Sequence, residues 1–266
     1  MNQQKTKEEK GTMFLGLITF AMTIAHYDQK RKNDDKMPYA IHPMMVAMNP
    51  STVLNSVLIG IDLLKARTAA LLHDVIEDCK EEDLTRTWDY LQQHVGPSGL
   101  FGKELNVPEG PDRKRLMLTR IINYCLFMCG IDYRNGDIAG MTVGSNVLDI
   151  VTELTVPKDA HPDGHYDTGD KPARKAWERS LDRMYQMSKL ALCVTYNDKL
   201  YNMRSPMPGR DPTAATMGYG EYLDNIVFVL SQKHGIAIHG HITDDALHAI
   251  ELHRARASAI TKVTRK

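Results

Sequence analysis

The chain has no excess of either charge. Its 33 lysines and arginines balance 33 aspartates and glutamates, so the formal net charge is zero. A neutral chain has no global field with which to gather DNA or anionic lipid, and such a role would need a local patch. Aromatic residues are scarce, at 7%, and no segment alternates apolar with polar residues. Both absences weigh against a sandwich or barrel and toward helices. The four cysteines, Cys79, Cys125, Cys129 and Cys193, include no CxxC pair. A disulfide framework is therefore not expected, and a reducing, cytoplasmic setting is. Cys125 and Cys129 stand four apart, which suits two small core residues on one helix face. Long hydrophobic runs are missing too: the apolar stretch Met13 to Ala25 is shorter than the ~20 residues that span a bilayer. Glu8 and Glu9 interrupt the lysines before it and no cleavage-site pattern follows, so it reads as a first amphipathic helix and not a leader.

What is present is an ordinary globular composition, 42% hydrophobic and 25% charged over 266 residues. Apolar residues recur at spacings of three and four almost throughout. The pattern predicts helices over Met13–Gln29, Pro38–Met48, Val57–Cys79, Asp83–Val95, Arg113–Gly130, Ser145–Thr155, Pro172–Met203, Tyr219–His234 and Thr243–Thr261. Lys30 to Met37 reads as a charged turn, and Pro157 to Lys171 as a polar loop. Between residues 96 and 111 four glycines and three prolines mark another loop. No repeat and no composition shift divides the chain. The expectation is one all-α domain over residues 1–266, with a large insertion near 96–143.

Three segments carry chemistry. His73-Asp74-Val75-Ile76-Glu77-Asp78 sets an imidazole and three carboxylates on neighbouring helix positions, after the apolar run Ala69 to Leu72. Carboxylates gathered together repel unless a cation neutralises them; the plainer alternative is a solvated helix end. His42, in Ala40-Ile41-His42-Pro43, is a second imidazole near a helix start, and alone such a residue is more often an ordinary capping or partly buried histidine. Asp198 falls between Val194 and Leu200 on an apolar helix face, where an acid is costly unless paired or metal-bound. Its alternative is an ion pair with Lys199 or a distant arginine.

Together these segments resemble the HD-domain metal phosphohydrolases, and among them the hydrolase domain of the RelA/SpoT alarmone enzymes. Four blocks occur in the family's order. The first is Ala25-His26, then Gln29, Arg31, Lys32, Pro38-Tyr39 and Ile41-His42-Pro43. The second runs from Ala69 through His73-Asp74 and Glu77-Asp78 to Cys79. The third is Val151-Thr152-Glu153-Leu154, with Glu153 where lysine is usual. The last ends Asn197-Asp198-Lys199-Leu200-Tyr201-Asn202-Met203-Arg204, with Asn197 and Lys199 in place of alanine and arginine. The blocks cover about Met22 to Ser205, and nothing matches the family's synthetase and regulatory domains, so a small stand-alone hydrolase is expected.

The resemblance implies an all-α HD fold and one metal, usually Mn²⁺, held by His42, His73, Asp74 and Asp198. It implies Glu77 and Asp78 as the catalytic pair that orients the attacking water and handles its proton. Arg31 and Lys32 fall where the family contacts guanine. Asn202 and Ser205 fall where it contacts the nucleotide, with Ser205 replacing threonine. The implied substrate is ppGpp or pppGpp, attacked at the 3′-diphosphate. Neither nucleic acid nor membrane is an expected partner, and a homo-oligomer is left open. Two rivals stand beside this reading: an HD phosphohydrolase acting on a dNTP or on the 2′-phosphate of NADPH, and a nucleotide-sensing module without turnover. The presence of all four ligand positions with Glu77 and Asp78 argues against the last.

Other polar clusters weigh less. Gly96 to Lys103 hints at a phosphate loop, but Pro97 and Glu104 occupy positions that need glycine and Ser/Thr. His161, Asp163, His165, Asp167 and Asp170 read as a solvated turn, because a metal site needs fixed geometry. The basic tail from Arg254 to Lys266 has no aromatic platform for RNA.

Overall fold

The computed structural model describes residues 6–31, 34–49, 53–96, 102, 104–131, 143–157, 160, 171–204 and 212–264. The described residues form thirteen α-helices and one pair of short strands, so the chain is mostly helical, as its periodicity predicts. Contacts group it into two compact units. The first combines residues 1–47 and 60–155; the second combines 48–59 and 156–266. None of the helices among the described residues is long and apolar enough to cross a membrane.

In the first unit α1 spans Lys7–Ala25. It starts earlier than periodicity suggests, because Thr6 and Glu9 form a capping box: each side chain accepts a hydrogen bond from the other's backbone amide. Phe14, Ile18 and Met22 of this helix are buried. It packs on α4 (Gly60–Leu72), α6 (Glu81–His94) and α7 (Arg113–Met128). The described helix of the segment near 96–143 is built into this unit. That helix, α7, also packs on α6 and on α8 (Val143–Leu154), and Ile121, Ile122 and Leu126 are buried. Cys125 and Cys129 are free and buried here, as are Cys79 and Cys193 elsewhere.

Lys30 to Met37 is not only a turn. β1 (Lys30–Arg31) pairs antiparallel with β2 (Asp34–Pro38), opposing Lys30 to Pro38. After this hairpin comes α2, Ile41–Met48.

The expected long helix Val57–Cys79 is three pieces: α3 (Val53–Val57), α4, and the single turn α5 (Val75–Asp78). The first break falls at Gly60, whose φ of +55° favours glycine. The second falls at His73 and Asp74, where the side chains leave the helix pattern to build the site described below.

In the second unit α3 packs on α11 (Lys189–Arg204), and α11 packs on α12 (Pro212–His234). The expected long helix Pro172–Met203 is again three: α9 (Lys171–Glu178), α10 (Leu181–Gln186) and α11. Two serines cut it. Ser180 accepts from the Arg183 amide at 3.1 Å and Ser188 from the Ala191 amide at 3.2 Å. Each satisfies an orphan amide of the helix that follows, which rewards starting a new helix over continuing the old one. Finally α13 (Asp244–Thr264) packs on α12. The crossing is close at Gly220, where a Cβ would lie 2.0 Å from the Ala249 carbonyl oxygen.

Candidate metal centre

Three expected ligands meet in the first unit. His42 sits in the first turn of α2, where Pro43 is tolerated because early amides lack intrahelical partners. Its backbone amide donates to the Tyr39 carbonyl at 2.9 Å, which ties α2 to the end of the hairpin. His73 follows α4, and its Nδ1 lies 2.7 Å from the Ala70 carbonyl oxygen. A carbonyl only accepts, so Nδ1 carries the proton. The ring thereby caps the C-terminal end of α4, whose last carbonyls have no partner in the helix. The same bond turns Nε2 toward the site. His42 and His73 are nearly buried, at 3% and 8% exposure.

Asp74 stands at the N-cap of α5 but makes no side-chain bond to the amides of that helix. Such a bond normally contributes about 1 kcal/mol. Here the carboxylate faces the two imidazoles: Oδ2 lies 3.0 Å from His73 Nε2 and 3.7 Å from His42 Nε2. The rings are 5.3 Å apart. One ligand atom from each of His42, His73 and Asp74 falls within 4.8 Å of the others.

The donor chemistry fits a cation. With its proton on Nδ1, His73 turns Nε2 to a carboxylate oxygen 3.0 Å away, an arrangement satisfied either by a second proton on the ring or by a cation held between the two atoms. A divalent ion bound by two imidazoles and a carboxylate is such a cation, and the carbonyl on the far nitrogen is the usual device for fixing such a histidine.

Tyr39 is the functional residue that periodicity and charge did not single out. Its hydroxyl donates to Asp74 Oδ2 at 2.5 Å. Its ring lies 5.9 Å from that of His42 and 4.9 Å from that of His26. The one available signal was its place in Pro38-Tyr39, three residues before His42.

Glu77 and Asp78 follow on α5, Glu77 half-buried and Asp78 exposed. The Asp78 amide donates to the Asp74 carbonyl at 2.8 Å, so the pair stands one turn beyond the ligands. Arg31 lies on β1 and is only 8% exposed. Behind the site His26 is buried, with Nδ1 at 2.8 Å from Gln29 Oε1. Burial lowers its pKa, and the Gln29 bond opposes that in part. Burial, then the carboxylates of Asp83 and Asp78, push the Cys79 thiol up to about 12, which leaves it unreactive near neutrality.

Two further expected residues belong to the second unit. Asp198 is 9% exposed on α11. Asn202 donates to its Oδ1 at 2.7 Å, and Lys199 Nζ lies 2.9 Å from its Oδ2. The neighbouring ion pair that the sequence offered as an alternative is therefore formed. Burial alone would lower the Lys199 pKa, but Asp198, Tyr222 and Glu178 outweigh it and hold the ammonium charged. The Lys199 ammonium also sits 5.2 Å from the centre of the Tyr222 ring. Lys32, Ser205 and the cluster from His161 to Asp170 lie outside the described residues. No protein-family model, no curated protein and no solved structure matches this chain.

Proposed function

We propose that the chain is an HD-type, metal-dependent hydrolase of guanosine alarmones, acting in the cytoplasm. It would cleave the 3′-diphosphate of ppGpp or pppGpp with water, releasing pyrophosphate and GDP or GTP. The observation that carries the hydrolase reading is the convergence of His42, on α2, with the adjacent His73 and Asp74, between α4 and α5, on one spot that could hold a metal ion. The guanosine substrate is supported by the four sequence blocks.

In this reading His42, His73 and Asp74 hold Mn²⁺. A metal of this kind supplies a nucleophile near neutral pH by acidifying water. The chain's own groups do the rest. The Ala70 carbonyl keeps the His73 proton on Nδ1, so Nε2 remains a ligand. Tyr39 fixes the plane of the Asp74 carboxylate. Glu77 and Asp78 orient the attacking water and accept its proton. Arg31 and Lys32 bind the guanine end, with the flat guanidinium of Arg31 suited to stacking on a base.

The test is product analysis after incubation with ppGpp, with Mn²⁺ and with chelator. GDP and pyrophosphate, formed only with metal, are expected. Release of phosphate from a dNTP or NADPH, with ppGpp untouched, would replace the substrate. Nucleotide binding without product would make the chain a sensor.

A further inference from the structure

A helix of one turn has no stability of its own. Nucleation costs more than a single hydrogen bond returns, and all of its last carbonyls lack partners within the helix. α5 is such a turn, and it carries both Glu77 and Asp78. Its internal bonds are few: the Asp78 amide donates to the Asp74 carbonyl, and the Cys79 amide to the Val75 carbonyl at 3.2 Å. Something outside α5 must set its conformation.

Two side chains do so, from opposite parts of the sequence. Lys114, in the first turn of α7, donates from Nζ to the Ile76 carbonyl and, at 3.0 Å, to the Cys79 carbonyl. Gln29, just before β1, donates from Nε2 to the Asp78 carbonyl at 3.0 Å. The other end of that amide is fixed too, because Gln29 Oε1 meets His26 Nδ1. Three carbonyls at the end of α5 are thus satisfied from outside, one bond pair coming from an ammonium at the negative end of the turn. Lys114 belongs to the segment near 96–143 for which the sequence offered no role.

We propose that Lys114 and Gln29 are positioning residues that hold the α5 turn, and with it Glu77 and Asp78, in register with His42, His73 and Asp74. The proposal rests on the hydrolase reading for its effect on turnover, but its structural half does not. If α5 is clamped at its carbonyl end, releasing the clamp lets the catalytic pair wander while the ligands stay in place. His73 and Asp74 precede the turn, and His42 is on another helix. The signature is a loss in kcat without a loss of metal.

Lys114→Met tests this, with Lys114→Arg as the conservative rescue. Amide hydrogen exchange at Asp78 and Cys79 should quicken in Lys114→Met and return toward wild type in Lys114→Arg. With ppGpp, kcat should fall about 10- to 100-fold, the usual cost of misplacing a reacting group or removing an outer support. KM and the affinity for Mn²⁺ alone, measured by calorimetry, should change by less than about threefold, and Gln29→Leu should repeat the pattern. Unchanged exchange in Lys114→Met overturns the proposal. So does unchanged kcat in an active protein. So does joint loss of metal, turnover and thermal stability that arginine does not restore, which would make Lys114 a residue of the fold alone. If the wild type hydrolyses no nucleotide, the functional reading fails by itself and the exchange result still decides the clamp.

Discussion

Tyr39→Phe removes one oxygen atom from the candidate metal centre and leaves the aromatic packing intact. The phenyl ring can keep its places near His42 and His26, so the change isolates the hydroxyl's bond to Asp74 Oδ2. That oxygen is also the one facing both imidazoles. The bond is short and its acceptor is ionised, and hydrogen bonds of this class contribute about 1.5–3 kcal/mol. Outer supports of metal ligands typically account for about 10- to 100-fold in affinity, which is about 1.4–2.8 kcal/mol. The expected result is a Mn²⁺ dissociation constant raised about 10- to 100-fold, read by titration calorimetry on metal-free protein. Thermal melts in chelator separate this from a general loss of stability. A dissociation constant within about twofold of wild type would refute the reasoning, because Asp74 would then hold its orientation without Tyr39.

Three other outcomes are expected. Glu77→Gln should keep Mn²⁺ and nucleotide but lose about 10²–10⁴-fold in kcat, measured by steady-state kinetics on ppGpp; a near-normal rate would move proton transfer to another group. Gly220→Ala would place a methyl carbon 2.0 Å from the Ala249 carbonyl oxygen, a backbone atom that no rotamer change can move aside. Overpacking of this kind costs about 1–3 kcal/mol, and the upper end applies here; calorimetry should show a melting temperature lower by several degrees, and an unchanged one would deny the close crossing of α12 and α13. His26 has a pKa lowered by burial from 6.5. Below 6.5 the unfolded chain therefore takes up a proton that the folded chain refuses. The stability owed to neutral His26 is complete above 6.5 and is lost as pH falls from there toward the lowered native value. Urea midpoints in chelator should decline over that window, and His26→Gln should flatten the decline; parallel slopes would exclude His26 as its source.

The helical class was legible because periodicity persists along the chain, and His73-Asp74 was legible because adjacent candidate ligands leave a compact word. Helix ends were read less well, and for a local reason. Thr6 with Glu9, Ser180 and Ser188 all cap helices through side-chain bonds that apolar spacing does not register. A run of apolar residues looks continuous across a serine even when the hydroxyl starts a new helix there. The supports of the site were harder still. Tyr39 reaches Asp74 across 35 positions, Gln29 reaches Asp78 across 49, and Lys114 reaches Cys79 across 35. Such bonds exist only once the chain has folded, and neither end carries a mark of the other. The Asp198–Lys199 pair was the opposite case, since its partners are adjacent.

Helix α3 has a consequence for the birth of the protein on the ribosome. It belongs to the second unit, yet it leaves the exit tunnel with the first. Its Leu54 amide finds the Asn197 side chain 143 residues later. At translation rates of about 5–20 residues per second, that partner is synthesised roughly 7–29 s after α3. For that interval Val53 and Leu54, fully buried in the finished protein, have no α11 to pack against. Nor can the chain be cut between 155 and 156 to yield either half whole, because α3 would remain with the wrong piece. Until then the apolar side chains of this stretch wait without the helix that buries them.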